Sequence, residues 1–178
     1  YPASTCPKCQ HSIRWYENIP LISWVILLRG KCSQCKNSIS IRYPFVELAT
    51  MVCSLIVAAH FGQTLEAVFG LIFTWVLIAL TGIDFDTQLL PDRLTYPLIG
   101  LGLAINSYGL FISPTQAIWG TLIGFLSLWS VYILFKLITG KVGMGYGDFK
   151  LLAALGAWMG PLQLPLIILL SSVVSSTS

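Results

Sequence analysis

Long apolar runs, separated by short polar stretches, dominate the chain from residue 45 onward. A helix that crosses a membrane needs about 20 apolar residues. Two of the runs are clearly long enough, and three are on the short side. The pattern therefore predicts an all-α polytopic membrane protein with about six apolar helices, formed by residues 45–61, 65–83, 95–112, 115–138, 149–160 and 161–174.

The fifth run, residues 149–160, is too short to cross a membrane by itself. A helix of this length rises only about 18 Å, whereas the hydrocarbon core is about 30 Å thick. We therefore expect that Asp148 lies below the headgroups, that this helix is re-entrant, or that it meets an aqueous cleft. The apolar stretch 19–28 is also too short to span, and we expect it to pack at the membrane interface.

Composition agrees with a membrane protein, and the distribution of charge predicts its orientation in the membrane. Hydrophobic residues make up 56% of the chain and charged residues only 10%, whereas a soluble domain carries about 25% charged residues. All ten Lys and Arg lie in residues 1–44, 84–94 and 136–150. The alternate loops, near 62–64 and 112–116, hold none. Positively charged loops face the cytoplasm, so these three stretches are predicted to be cytoplasmic.

Two Cys-x-x-Cys pairs mark residues 1–43 as a separate, zinc-ribbon-like unit: Cys6 with Cys9, and Cys32 with Cys35. Two such pairs complete a tetrahedral shell of four thiolates, which favours zinc. A closed shell leaves no open coordination position, so the zinc would be structural. Two disulfides or a redox dithiol are the alternatives. A cytoplasmic location argues against disulfides, and a redox motif does not need two copies.

Two aspartates, Asp84 and Asp148, adjoin apolar runs on the same predicted side of the membrane. A carboxylate beside hydrocarbon is costly, which makes such residues functional candidates. Two carboxyl groups at the same depth suit acid–base hydrolysis. The sequence therefore offers this pair as a candidate catalytic site.

Structural roles are open for the same acids. Asp148 could be the N-cap of the helix that follows it. Asp84 could form a polar cap with Asp86 and Asp92, in which Asp92 pairs with Arg93. That interpretation suits Asp86 and Asp92, expected further into the loop, better than Asp84, whose helix is still apolar. The residues alone leave the catalytic and structural interpretations open.

Gly145 and Gly147 precede Asp148 in a Gly-Tyr-Gly-Asp stretch, and capping does not account for them. Glycine has no side chain and can adopt positive φ, so these residues could let the backbone approach a substrate closely. A dinucleotide-binding loop is not expected, because no strand precedes the stretch and no βαβ unit surrounds it.

Taken together, these motifs resemble those of the type IV prepilin peptidases, bifunctional leader peptidases and N-methyltransferases of bacterial inner membranes. The resemblance covers nearly the whole chain. It rests on the two Cys-x-x-Cys pairs, on a Gly-x-Gly-Asp motif shared with presenilin-like aspartyl proteases, and on the stretches 15–20, 40–47, 84–86, 90–95 and 145–150. It implies that Asp84 and Asp148 are the catalytic pair.

The resemblance further implies a membrane aspartyl endopeptidase whose zinc unit and catalytic aspartates face the cytoplasm. Its substrates would be prepilins and pseudopilins, cleaved after a glycine that ends a short basic leader. Asp86 and Asp92 would help to attract that leader. The resemblance also implies methylation of the new N-terminus by S-adenosylmethionine, with a donor site sought in residues 6–35 and at Glu47. The bilayer is an expected partner, and nucleic acid is not.

Three functions remain open: the bifunctional enzyme, a peptidase without methyl transfer, and a non-enzymatic zinc-containing membrane scaffold or transporter. Family members usually carry an apolar helix before the first cysteine pair and further helices at the C-terminus. The resemblance implies that residues 1–43 form a cytoplasmic zinc-binding unit associated with methyl transfer. Residues 44–178 would form a peptidase domain truncated at its C-terminus.

Overall fold

A computed structural model describes residues 5, 6, 8, 9, 12, 31–140 and 145–176. The chain divides into two compact units, Tyr1–Ala67 and Val68–Ser178. The stretch 19–28, expected at the membrane interface, lies outside the described residues. The expected functional division at residue 43 stays a prediction.

Each of the six apolar runs forms a helix, and the described residues contain no strand beyond two isolated β-bridges. The prediction of an all-α architecture is therefore confirmed. The helices are α1 (Arg42–Phe61), α2 (Leu65–Thr87), α3 (Asp92–Ser107), α4 (Pro114–Thr139), α5 (Tyr146–Met159) and α6 (Leu164–Ser176), with a single 3-10 turn at Pro161–Gln163 before α6.

The expectation of about six apolar helices is wrong in number. By length and composition, three helices in the described part of the chain could cross a membrane, namely α1, α2 and α4. A shorter apolar stretch, Pro161–Ser172, overlaps α6. Helix α3 has 16 residues and begins with the charged Asp92 and Arg93. Helix α5 has only 14 residues.

The boundaries of α4 follow from local sequence signals. Ser113 is the N-cap, and its hydroxyl accepts a hydrogen bond from the backbone N–H of Gln116. The Gln116 side chain in turn accepts one from the Ser113 N–H, which completes a capping box. Gly140 ends the helix with a φ of 68°, a left-handed conformation that glycine adopts without steric cost.

Helix α5 lies at the centre of the second unit, packed against α3 and α4. Half of its residues are buried: Phe149, Leu152, Ala153, Ala154, Gly156, Ala157 and Trp158. The helix that is too short to span a bilayer is therefore enclosed largely by protein.

Small residues allow α4 and α5 to approach each other through their backbones. A Cβ on Gly120 would overlap the carbonyl of Gly156, and a Cβ on Gly156 would overlap the carbonyl of Gly120. One turn along α4, a Cβ on Gly124 would lie 2.6 Å from the carbonyl oxygen of Leu152. The pair Gly120 and Gly124 has the four-residue spacing that permits close helix packing in membranes.

Two buried polar side chains join α5 to α3. The Trp158 indole N–H donates to the carbonyl of Leu98 at 2.8 Å, and its ring stacks on Phe73 of α2. The Asn106 side-chain amide donates to the carbonyl of Ala157 at 2.9 Å. The C-terminal half of α5 is thus fixed by hydrogen bonds as well as by apolar contact.

The glycine contact yields a stability prediction. Gly120→Ala and Gly156→Ala should each lower the free energy of unfolding by about 1–3 kcal/mol, because overpacking forces the two helices apart. Thermal denaturation in detergent micelles measures the change.

Gly100→Ala in α3 is the matched control, since its Cβ would meet nothing within 4 Å. Alanine is the better helix former, so this variant should be neutral or slightly stabilised. Equal effects at all three positions would contradict the close contact.

Candidate functional site

The four cysteines of the first unit converge on one point. Their sulfur atoms all lie within 4.8 Å of one another, with 3.8 Å between Cys6 and Cys35 and 4.0 Å between Cys9 and Cys32. These distances are about twice the length of a disulfide bond, and none of the four cysteines forms a disulfide. Tetrahedral zinc–thiolate bonds of about 2.3 Å would hold sulfurs about 3.8 Å apart. The four cysteines could therefore hold one metal ion, and the spacing is compatible with zinc.

The two cysteine pairs lie in equivalent local structures. An antiparallel bridge joins Thr5 to Ser12, and another joins Lys31 to Ser38. In each case the residue before the first cysteine is bridged to the third residue after the second. In the second pair, the backbone N–H of Cys32 donates to the carbonyl of Asn37 at 2.8 Å. A bridge of the same kind therefore flanks each cysteine pair.

Backbone amides favour the thiolate form that a metal requires. The N–H groups of Cys9 and Lys8 point at the Cys6 sulfur and lower the pKa of this thiol to about 6. Hydrogen bonds to an ionised group stabilise its charge. Cys6 is therefore prepared to bind a cation at neutral pH.

Metal analysis tests this cluster. Purified protein should carry one metal ion per chain, and Cys6→Ser or Cys32→Ser should remove most of it because a tetrahedral site needs all four ligands. Mass spectrometry of the eluted metal measures the content.

Cys53→Ser is the matched control, because this cysteine lies on α1 outside the cluster. Its metal content should be unchanged. Less than about half an equivalent of metal in the unmodified protein would count against a four-cysteine site.

Asp84 lies in the last turn of α2, and Asp148 lies in the first turn of α5. Helix α2 continues to Thr87 and ends where Gln88 adopts a left-handed φ of 51°. The backbone N–H of Gln88 donates to the carbonyl of Asp84 at 2.7 Å. The expected loop 84–94 is therefore shorter than predicted, and it runs only from 88 to 91.

This shorter loop corrects two expectations. Asp86 lies within the last turn of α2, not further into the loop. Asp92 is the first residue of α3. Asp148 is not an N-cap either, because α5 begins at Tyr146 and its N-cap is Gly145. The sequence placed the helix start three residues late because Tyr146 and Gly147 are weak helix formers.

The carboxyl groups of Asp84 and Asp148 interact. Desolvation by the surrounding protein raises the pKa of Asp148, and the negative charge of Asp84 raises it further. A like charge nearby disfavours the ionised form of a carboxyl group. The structure thus brings together the two aspartates that the sequence offered as a pair, at the ends of different helices.

The two glycines before Asp148 have different structural roles. A Cβ on Gly147 would lie 2.8 Å from the Cβ of Leu90, so its lack of a side chain lets the α2–α3 loop pack against α5. Gly145 has an extended backbone with a φ of −77°. Positive φ, the reason given from the sequence, is therefore not what either glycine provides.

Asp92 pairs with Lys150 rather than with Arg93. The Lys150 ammonium donates to a carboxylate oxygen of Asp92 at 2.6 Å, and it lies 4.9 Å from the centre of the Tyr96 ring. Arg93 was expected as the partner because it is adjacent in sequence. Successive helical residues point in different directions, so the partner instead comes from α5.

Sequence reasoning missed an aromatic cluster beside the Gly-x-Gly-Asp turn. The rings of Tyr132, Tyr146 and Phe149 lie 5.6–5.7 Å from one another, centre to centre. Tyr132 belongs to α4, so the cluster fixes the first turn of α5 to that helix. The three-residue spacing of Tyr146 and Phe149 places both on one helical face and could have indicated it.

The remaining candidate, Glu47, is exposed on α1. It belongs to the same compact unit as the four cysteines. Asp84, Asp148, Gly145, Gly147, Asp86 and Asp92 belong to the other unit.

The raised pKa of Asp148 predicts a pH-dependent gain of stability in Asp148→Asn. The unfolded chain releases this proton near the ordinary value of 3.8, whereas the folded protein retains it to higher pH. Stability is therefore lost as pH rises through this interval. Asn removes that loss, so the variant should be more stable at pH 7 by no more than about 1 kcal/mol, because solvent screens a partly exposed group.

At pH values well below 3.8 the gain should disappear, because Asp148 is then protonated in both the folded and the unfolded chain. Thermal denaturation at several pH values measures the difference, and Glu66→Gln, at the opposite end of α2, controls for removing one negative charge. A gain for Asp148→Asn that is the same at every pH would contradict the coupling.

Comparison with known proteins gives two family matches. Residues 71–177, well over half of the chain, match the model of the type IV leader peptidase family. Residues 1–61 match the bacterial peptidase A24 N-terminal domain. No solved structure matches the chain.

Curated relatives carry a common description, prepilin leader peptidase/N-methyltransferase. A protein of Stutzerimonas stutzeri is 63% identical over 98% of this chain. A Pseudomonas aeruginosa protein is 59% identical over 98%, and a Neisseria gonorrhoeae protein is 51% identical over 97%. The chain spans 60% of the length of each of these relatives.

Proposed function

The chain belongs to the type IV leader peptidase family, and from that membership we propose that it cleaves the leader peptide of type IV prepilins and pseudopilins. The cut follows a glycine at the end of a short basic leader. The observation that carries this proposal is the interaction between Asp84 and Asp148, since the pKa of Asp148 is raised first by burial and further by the charge of Asp84. A pair of carboxyl groups that resist double ionisation suits peptide hydrolysis.

In the proposed mechanism, the two carboxyl groups share one proton. The ionised partner accepts a proton from a water molecule, whose oxygen attacks the scissile carbonyl carbon. The protonated partner donates to the carbonyl oxygen, and a proton is then delivered to the leaving amine as the peptide bond breaks. Either carboxyl group can start as the acid, because titration belongs to the pair.

We propose that the remaining acids have unequal roles. Asp86 lies on the same end of α2 as Asp84, and its negative charge would attract a basic leader. Asp92 contributes less attraction than the sequence suggested, because the ammonium of Lys150 offsets its charge. Gly147 shapes the site by admitting Leu90, and Gly145 begins α5.

The cysteine cluster is proposed to bind structural zinc through Cys6, Cys9, Cys32 and Cys35. The support is the fit of the sulfur spacing to a tetrahedral site. We further propose that this unit takes part in methylating the new N-terminal amine, which the descriptions of the relatives support. S-adenosylmethionine would supply the methyl group, and Glu47 is a candidate contact for it.

The protein is proposed to lie in the bacterial inner membrane, with the cysteine unit and both aspartates on the cytoplasmic side. The distribution of positive charge supports this orientation, because every Lys and Arg falls in residues 1–44, 84–94 and 136–150. Prepilins would reach the site with their leaders still in the cytoplasm.

Substitution of the paired aspartates tests the peptidase proposal. Asp84→Asn and Asp148→Asn should each reduce cleavage of a prepilin substrate by about 10²–10⁴-fold or more, because Asn keeps the shape but cannot transfer the proton. The double variant should be little worse than either single one, since the pair acts as one unit. Cleavage is followed by the gel shift of the shortened product.

Asp86→Asn is the matched control, because Asp86 lies two residues after Asp84 in the last turn of α2. This substitution should reduce cleavage less than Asp84→Asn does. If Asp86→Asn is inactive while Asp84→Asn retains near-normal cleavage, the assignment of the pair is wrong. Measuring methyl incorporation in the same assay separates the bifunctional enzyme from a peptidase alone. Absence of both activities in the unmodified protein would leave a scaffold or transporter.

A further inference from the structure

The ion pair between Lys150 and Asp92 joins the first turns of two helices. Lys150 is in α5, two residues after Asp148, and Asp92 begins α3. The Lys150 side chain is 19% exposed and that of Asp92 is 56% exposed. The ammonium also lies 4.9 Å from the centre of the Tyr96 ring. One cation thus contacts two groups of α3, and most of its side chain is enclosed.

Lys150 and Asp148 project from different sides of α5. Residues two apart on an α-helix are rotated by about 200° and do not face each other. Asp148 interacts electrostatically with Asp84 of α2, whereas Lys150 contacts α3. Lys150 can therefore hold the helix without being part of the acid pair.

The contacts of α5 with α3 are arranged along both helices. At the C-terminal end of α5, Trp158 and Ala157 hydrogen-bond to Leu98 and Asn106. At the N-terminal end, the ion pair of Lys150 with Asp92 provides a polar link. The aromatic cluster holds this first turn against α4, and the ion pair adds a link to α3 on the turn that carries Asp148.

We propose that Lys150 is a positioning residue for the acid pair, which holds the first turn of α5 on α3 so that Asp148 stays beside Asp84. This inference rests on the proposed peptidase function. Positioning affects the reaction rather than the capture of the leader. Displacement of a reacting group by about 1 Å costs up to about 100-fold in rate.

The experiment compares variants of the protein in proteoliposomes with a prepilin substrate. Lys150→Met should reduce kcat by between about 10- and 100-fold, with KM little changed. Lys150→Arg should retain most activity, because a guanidinium can reach the same carboxylate and ring. Asp92→Asn should reproduce the loss of Lys150→Met.

Arg93→Met is the matched control, because Arg93 is adjacent to Asp92 on the same predicted side of the membrane. It removes one positive charge and leaves the ion pair intact, so kcat should be unchanged. The exchanged pair, Asp92→Lys with Lys150→Glu, should be more active than either of its single variants. Such a recovery requires direct pairing between the two positions.

Several results would overturn the inference. A loss confined to KM would indicate leader binding instead of positioning. Normal kcat in both Lys150→Met and Asp92→Asn would show that the ion pair is dispensable. If Lys150→Met fails to fold, Asp92→Asn and the exchanged pair decide the matter. If the unmodified protein cleaves nothing, the proposed function itself fails, which separates that outcome from a failure of Lys150.

Discussion

The second unit depends on the backbone contact between α4 and α5 at Gly120 and Gly156. At each of these positions, the carbonyl group of the facing helix occupies the space that a side chain would need. Neither α3 nor α5 is among the helices that could span a membrane by length and composition. Hydrocarbon gives no hydrophobic drive for helices to associate, so close van der Waals packing and buried hydrogen bonds must supply it. The contact between α4 and α5 provides the packing, and Trp158 and Asn106 provide the hydrogen bonds.

With α5 held in this way, its first turn becomes a fixed platform for chemistry. Tyr132 and Phe149 anchor it to α4, Leu90 packs against Gly147, and Lys150 joins it to α3. Two like charges can then be held near each other at one point, because Asp148 stays close to Asp84 although both are acids. The proposed proton-sharing pair would need such rigid support.

Local patterns in the sequence were sufficient for much of this organisation. Apolar runs located the six α-helices of the described residues, and cysteine spacing identified the thiols whose sulfurs converge. Contacts between distant segments were not accessible in the same way. Arg93 was expected to pair with Asp92 because the two residues are adjacent in the sequence. The sequence does not show that the Asp92 side chain faces Lys150 of another helix. The close approach of Leu90 to Gly147 was hidden for a similar reason, because Leu90 lies in the loop between two other helices. The number of apolar helices was overestimated because a buried helix and a lipid-facing one have similar composition.

The short length of α5 has a consequence for the supply of water. A helix of 14 residues extends about 21 Å, and the hydrocarbon core of a bilayer is about 30 Å thick. Since protein covers much of the helix, it need not reach both polar boundaries to be stable. Asp148, on the first turn, still reaches the protein surface. For the proposed hydrolysis, the attacking water could then reach Asp148 from the surface of the protein, and the bundle needs no internal channel to hydrate this residue.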